Sequence, residues 1–273
     1  MSEVREQVIA PLTGASVDGG VPPLDAAVAR LDAAVATGAQ RIPSRERIFD
    51  VVLTILLLPV VAIVGTLIAI AIYVDSPGPV IFRSRRTGRG GRPFEMLKFR
   101  KMRRDAPSHP VTLDEDERFT PIGRFLAASR LDELPQMINV LRGEMRLVGP
   151  RPELDVFIAQ YPEQYAEILR ITPGITGNSQ LRFVGERQLL TGPDPENVYS
   201  QLVLPAKIEI DIDYTRSHSP WGDLAILART ALLPFSLLGI RARESGWVRR
   251  WGPMVGAVIL LGALFVLFSS QLH

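Results

Sequence analysis

The sequence predicts a mainly α-helical protein with one small β-hairpin, an α+β fold held at a membrane. Two stretches, Val51 to Val74 and Pro253 to Leu272, are almost wholly apolar. Between them, residues 80–86 and 93–99 flank the glycine-rich run Thr87-Gly-Arg-Gly-Gly-Arg92, the pattern of a hairpin. Beyond the hairpin most apolar residues recur at helical spacing.

Residues 1–43 read as a mobile leader with one weak helix. Leu24, Val28, Leu31 and Val35 share a face, and Leu-Asp-Ala-Ala-Val-Ala occurs at 24–29 and again at 31–36. The leader lacks a charged start followed directly by an apolar run, so it does not read as a secretory signal.

Residues 44–75 form the first membrane segment. About twenty apolar residues cross a bilayer core, and Pro59 interrupts this run about a third of the way along. A proline removes a backbone hydrogen bond and bends a helix, so the run fits either a kinked span or a hairpin that re-enters its own side. Arg41, Arg45 and Arg47 place the N-terminal flank in the cytoplasm. The second apolar helix, 251–272, follows Arg241, Arg243, Arg249 and Arg250, so its N-terminal flank is cytoplasmic too and it reads as a transmembrane helix. A full first span would strand the basic segment 83–104 outside, against the charge bias. The re-entrant form, broken at Pro59, is therefore expected, with residues 76–240 as a cytosolic domain. Within that domain, Trp221 to Ile240 fits a helix on the membrane surface and a buried domain helix equally well.

Composition excludes several classes. A formal net charge of +2 gives no nucleic-acid signal, and zero cysteines exclude disulfides and thiolate metal sites. The three histidines show no ligand spacing for zinc, and no Walker loop, nucleophile elbow or dinucleotide fingerprint is present.

The densest chemistry lies in Ser129-Arg-Leu-Asp-Glu-Leu-Pro-Gln-Met-Ile-Asn-Val-Leu141. Leu134, Met137, Ile138 and Leu141 predict a helix over 131–142, with Ser129 and Asp132 as a capping-box-like start. Asp132 and Glu133 then occupy its first turn, about 100° apart. That divergence lets one carboxylate attack a phosphorus while the other helps hold a metal. Such a pair alone is ordinarily a partner of the helix dipole. Its weight rises with Pro135 stiffening the turn and with Gly149-Pro-Arg-Pro152, where Arg151 between two prolines is a guanidinium suited to phosphate. Lys98, Arg100, Lys101, Arg103 and Arg104 form a basic run for anionic lipid or for substrate phosphates.

Together these residues resemble the bacterial sugar transferases, the monotopic polyprenyl-phosphate phosphoglycosyl transferases. The likeness runs from Arg45 to Leu233 through Arg47-Ile-Phe-Asp50, the proline-broken helix, Ser76-Pro-Gly-Pro-Val-Ile-Phe82 and Lys98-Phe-Arg-Lys-Met102. It continues through Leu131-Asp-Glu-Leu-Pro-Gln136, Asn139-Val-Leu-Arg-Gly-Glu-Met145, Val148-Gly-Pro-Arg-Pro152 and Pro173-Gly-Ile-Thr-Gly177. The resemblance implies transfer of a sugar phosphate from a UDP-sugar to undecaprenyl phosphate through an aspartyl intermediate. UMP is released, and the product starts an exopolysaccharide, capsule or O-antigen. Asp132 matches the nucleophile and Glu133 its partner with Mg²⁺, so both are candidate metal ligands. Arg100 and Arg151, with Lys98, match the basic positions near the phosphates. The implied setting is the bacterial inner membrane, catalytic domain inward. Membrane lipids, downstream glycosyltransferases and a second copy of the chain are the candidate partners. A non-catalytic scaffold of a glycan-assembly complex is the alternative. Two positions depart from the family: Leu58 stands where many members have serine, and Gly177-Asn-Ser-Gln180 where many read Gly-Trp-Ala-Gln.

Overall fold

The computed structural model describes residues 44–241 except 108, 114, 115, 191 and 192. The expected leader and the 251–272 helix lie outside the described residues.

Helix α1 (Ser44–Asp75) is the membrane candidate, and Arg45–Asp75 is long and apolar enough to cross a bilayer. Contrary to the expectation of a break, the helix is continuous through Pro59. One proline removes one donor, and the turns on either side are long enough to carry the helix past the gap. Both ends of α1 rest on the rest of the chain. At the N-terminal end Asp50 and Thr54 are buried, and Arg47 donates to the Val140 and Leu141 carbonyls. At the C-terminal end Ile68 and Ile72 pack with Phe99 and Leu126. Residues 55–59, more than a full turn, are all exposed, with Ile55 at 57% and Leu56 at 72%.

Strands β1 (Ile81–Thr87) and β2 (Pro93–Phe99) form the expected antiparallel hairpin, pairing Ile81 with Phe99 and Thr87 with Pro93. Its turn needs glycine, since Gly90 and Gly91 have φ of 69° and 72°. A second sheet is absent from the sequence expectation. It is a parallel pair, β3 (Arg146–Val148) with β4 (Gly174–Thr176), whose three-residue strands are too short to show alternation.

Helix α2 (Pro121–Ser129) starts on a Thr120 cap that accepts from the Gly123 amide at 3.0 Å. Helix α3 (Gln136–Arg142) is shorter than the 131–142 expected. Leu131–Glu133 is a separate 3₁₀ turn, entered through Arg130 with φ 58° and ψ 13°. The capping-box expectation at Ser129 is also corrected, because its hydroxyl bonds back to the Phe125 carbonyl at 2.8 Å and closes α2 instead. The short helices α4 (Asp155–Ile158), α5 (Pro162–Ile168), α6 (Asn178–Arg182), α7 (Glu186–Leu189) and α8 (Pro195–Val198) lead to α9 (Leu204–Ser217) and α10 (Pro220–Arg241). Phe157, Tyr165, Phe183, Tyr199 and Leu204 anchor one core cluster, and Met96, Val140, Met145 and Tyr214 another. Helix α10 divides between the two sequence readings: Asp223 and Ile226 are buried while Trp221 and Leu232 stand 81% and 65% exposed.

Gly123 sets the distance between α2 and the segment after β2. A Cβ there would lie 1.8 Å from the Lys101 carbonyl oxygen, which already accepts from the Thr120 amide at 3.1 Å. Gly123→Ala must therefore push backbone against backbone. A loss of at least about 3 kcal/mol is expected, read as a lowered unfolding midpoint in detergent.

Candidate active site

Two connections bring the site together. Asn139, fully buried in α3, accepts from the Leu97 amide at 3.0 Å and donates to the Glu95 carbonyl at 2.7 Å. It thereby acts as an extra strand partner for β2 and fixes the hairpin against the Leu131–Glu133 turn. On the other side, the Gly149 amide donates to the Thr176 carbonyl and the Gly174 amide to the Pro150 carbonyl, each at 2.9 Å. The backbones cross so closely there that a Cβ on Gly174 would sit 2.0 Å from the Gly149 nitrogen. This strap delivers Arg151 to the turn.

Asp132 and Glu133 do diverge. Asp132 Oδ2 accepts from Lys101 Nζ at 3.1 Å. Glu133 Oε1 accepts from Arg151 Nη2 at 3.0 Å and from Lys98 Nζ at 3.5 Å. Burial opposes charge on Glu133, but Arg151, Lys98 and Arg130 outweigh it and hold the carboxyl well below the usual carboxylate range. In return Glu133 raises Arg151. Burial pushes Lys98 down to about 7, with Arg151 adding to the effect and Glu133 opposing it.

These groups line one open cavity with seven cationic and four acidic side chains. Six of the cations are engaged. Lys98, Lys101 and Arg151 hold the two carboxylates just described. Arg86 faces Glu153 at 3.6 Å, Lys207 binds Glu186 at 2.9 Å, and Arg187 donates to the Ala127 carbonyl at 2.8 Å. Among the described residues, Arg130 is the cavity cation whose guanidinium makes no hydrogen bond or ion pair.

Of the residues singled out from the sequence, Asp132, Glu133, Lys98 and Arg151 line this one cavity. Arg100 does not line this cavity; it is buried at the end of α1, where its Nη2 donates to the Ser76 carbonyl while Nε and Nη1 lack partners. Lys101 was visible only as a member of the basic run. Arg86, Glu153, Glu186, Tyr199 and Lys207 were missed. Tyr199 donates to Glu153 at 2.8 Å, and both line the cavity with Arg151. Their separation along the chain leaves no local signal. Gln180 lines the cavity too, with its Nε2 buried and unpaired.

The donor set suits a hard divalent cation. Mg²⁺ is commonly held by one or two carboxylates, completed by substrate phosphates and water. Asp132 and Glu133 are such a pair, and among the described residues no cluster of three acidic or histidine side chains forms a complete cage.

The family model described as bacterial sugar transferase matches residues 42–236. The chain is 43% identical over 192 residues to the UDP-glucose:undecaprenyl-phosphate glucose-1-phosphate transferase of Caulobacter vibrioides, covering 68% of each chain. An Escherichia coli protein of the same name is 36% identical, over 73% of this chain and 41% of that one. The UDP-N-acetylgalactosamine-undecaprenyl-phosphate N-acetylgalactosaminephosphotransferase of Aeromonas hydrophila is 33% identical, over 68% of this chain and 42% of that one. The chain therefore spans about two thirds of the Caulobacter protein and less than half of the other two. A match across most of the chain, holding the Asp132–Glu133 turn and the Arg151 strap within it, establishes that this protein belongs to the bacterial sugar transferase family.

Proposed function

We propose that the protein transfers a sugar-1-phosphate from a UDP-sugar to undecaprenyl phosphate. The observation that carries this reading is the unlike treatment of two adjacent carboxylates in one cation-rich cavity. Glu133 is stabilised as an anion by two adjacent cations, Arg151 and Lys98, which lowers its nucleophilicity. Asp132 has a single lysine partner and is the carboxylate free to react. In the first step an Asp132 oxygen bonds to the sugar-bearing phosphorus. The bond from that phosphorus to the bridging oxygen breaks, and UMP leaves with the electron pair. In the second step a phosphate oxygen of undecaprenyl phosphate bonds to the same phosphorus and the Asp132 carboxylate departs. The product is the polyprenyl diphosphate-sugar, and no net proton is consumed. Lys98, Lys101 and Arg151 stabilise the charge of the phosphoryl group. Mg²⁺, held by Asp132 and Glu133, would neutralise part of the diphosphate charge.

The same reading places the protein on the inner membrane with its catalytic domain in the cytoplasm, starting a surface glycan. Helix α1 enters the cytoplasmic leaflet and returns to the same face. Its two ends touch one body while a full turn around residues 55–59 is bare. Docked ends with a bare middle support that reading, in which the unbroken helix bends at Pro59 and its bare residues meet an apolar medium. Cysteines placed at 40–45 and at 76–90 should react with an impermeant reagent from the cytoplasmic face only. Labelling from opposite faces would show a full span.

The activity itself is tested with purified protein, undecaprenyl phosphate, and UDP-glucose, UDP-galactose or their N-acetylated analogues. Label from the sugar phosphate should reach lipid with release of UMP. Equal UMP release by Asp132→Asn would overturn the reading, and label that never reaches lipid from any donor would favour a scaffold.

A further inference from the structure

Arg130 is the only non-glycine residue with positive φ among those described, at 58°. The left-handed conformation at a helix C-terminus is glycine's usual place, because a side chain there meets steric resistance. Such a residue persists when the surrounding structure demands it, and such positions gather at active sites. Here the backbone demand is plain: Arg130 ends α2 and begins the turn that carries Asp132 and Glu133. Glycine would meet that demand better. What arginine adds is a guanidinium in the cavity, near enough to Glu133 and Glu186 to lower both carboxyls but paired with neither.

Five of the other six cavity cations face carboxylates, and Arg187 donates to a backbone carbonyl. Arg130 enters the reaction with its guanidinium uncommitted to any protein acceptor, and so can meet charge that develops. In the displacement proposed above, the new charge appears on the departing nucleotide. As the phosphorus–oxygen bond breaks, the bridging oxygen keeps the electron pair and the released phosphate gains one negative charge.

We propose that Arg130 contacts the departing nucleotide phosphate and stabilises the charge it gains. This rests on the transferase reading and adds to it a residue outside the carboxylate pair and its partners. The bent backbone matters to the assignment, since it turns the Arg130 side chain toward the cavity that the next two acidic residues also line.

Two variants separate side chain from backbone. Arg130→Gly and Arg130→Asn both suit the left-handed conformation and remove the guanidinium. Their unfolding midpoints in detergent should equal or exceed that of the unaltered protein, with glycine the higher of the two. UMP release should fall about 100-fold. In an Asp132→Asn background, calorimetric titration should show UMP binding weakened about tenfold, because one charged contact is lost. Arg130→Lys should recover part of the binding. Unchanged UMP affinity and unchanged release in both variants would overturn the assignment while leaving the transferase reading intact. No UMP binding when Arg130 is present would overturn the transferase reading and this assignment with it.

Discussion

Asp132→Asn is expected to lower UMP release by about 10⁴-fold or more while leaving the protein folded. The carboxamide has the shape of the carboxylate but neither its charge nor its nucleophilic oxygen, so the covalent step has no substitute. The structural cost is small, because the partner, Lys101, is 23% exposed at its side chain and turns to water when the acid is gone. Glu133→Gln should behave differently. It removes the carboxylate nearest to Arg151 and Lys98, so it should lower both the unfolding midpoint and the rate. The two variants also separate the roles through the intermediate. After an acid quench, label from the sugar phosphate should remain on the Glu133→Gln protein in reduced amount and be absent from Asp132→Asn. Label retained by Asp132→Asn would make Glu133 the nucleophile. The electrostatics argue against that outcome, since a carboxylate held by two adjacent cations gives up stabilisation when its charge moves to phosphorus.

The parts of this site that could be read in the sequence are those that depend on neighbours along the chain. The hairpin was legible because its strands flank a glycine turn. Asp132, Glu133 and Arg151 were legible because rigid prolines and a family-like order surround them. The helix expected over 131–142 was drawn too long because Leu134, Met137, Ile138 and Leu141 keep helical spacing across the 3₁₀ turn, and periodicity does not register Arg130 in the left-handed region. The rest depends on long-range pairing. Glu153, Glu186 and Lys207 join across the core with no common spacing, and the β3–β4 pair joins residues some thirty positions apart through strands of three residues each. Asn139 is the instructive case. It belongs to a family-like segment, but its role is to hold the edge of β2, which no reading of its own helix would reveal.

Arg146→Met is expected to be the most damaging change outside the cavity. Arg146 is buried, and three of its nitrogens meet three different carboxylates. Nη1 lies 2.8 Å from Glu46, Nε 3.0 Å from Asp50 and Nη2 3.0 Å from Asp223. Glu46 and Asp50 are one helical turn apart on α1, and Asp223 stands in the first turn of α10, where the Tyr214 hydroxyl also donates to it at 2.7 Å. One guanidinium thus binds the start of the membrane helix and the start of the last described helix to β3. Removing it leaves buried carboxylates facing one another, at a cost of about 3–5 kcal/mol, or a fall of roughly 10 °C in midpoint for a domain of this size. Arg146→Lys should recover little, because an ammonium lacks the planar fork that reaches three acceptors at once. Adding Asp50→Asn and Asp223→Asn to Arg146→Met should recover part of the loss, since the penalty comes mainly from the stranded charge. An Arg146→Lys protein with an unchanged midpoint would mean that the three contacts contribute no net stability. The same variants reach function through α1. With its N-terminal end released, α1 loses one of its two footings, and protease should then cut at Arg47, which the intact contacts to Val140 and Leu141 hold in place.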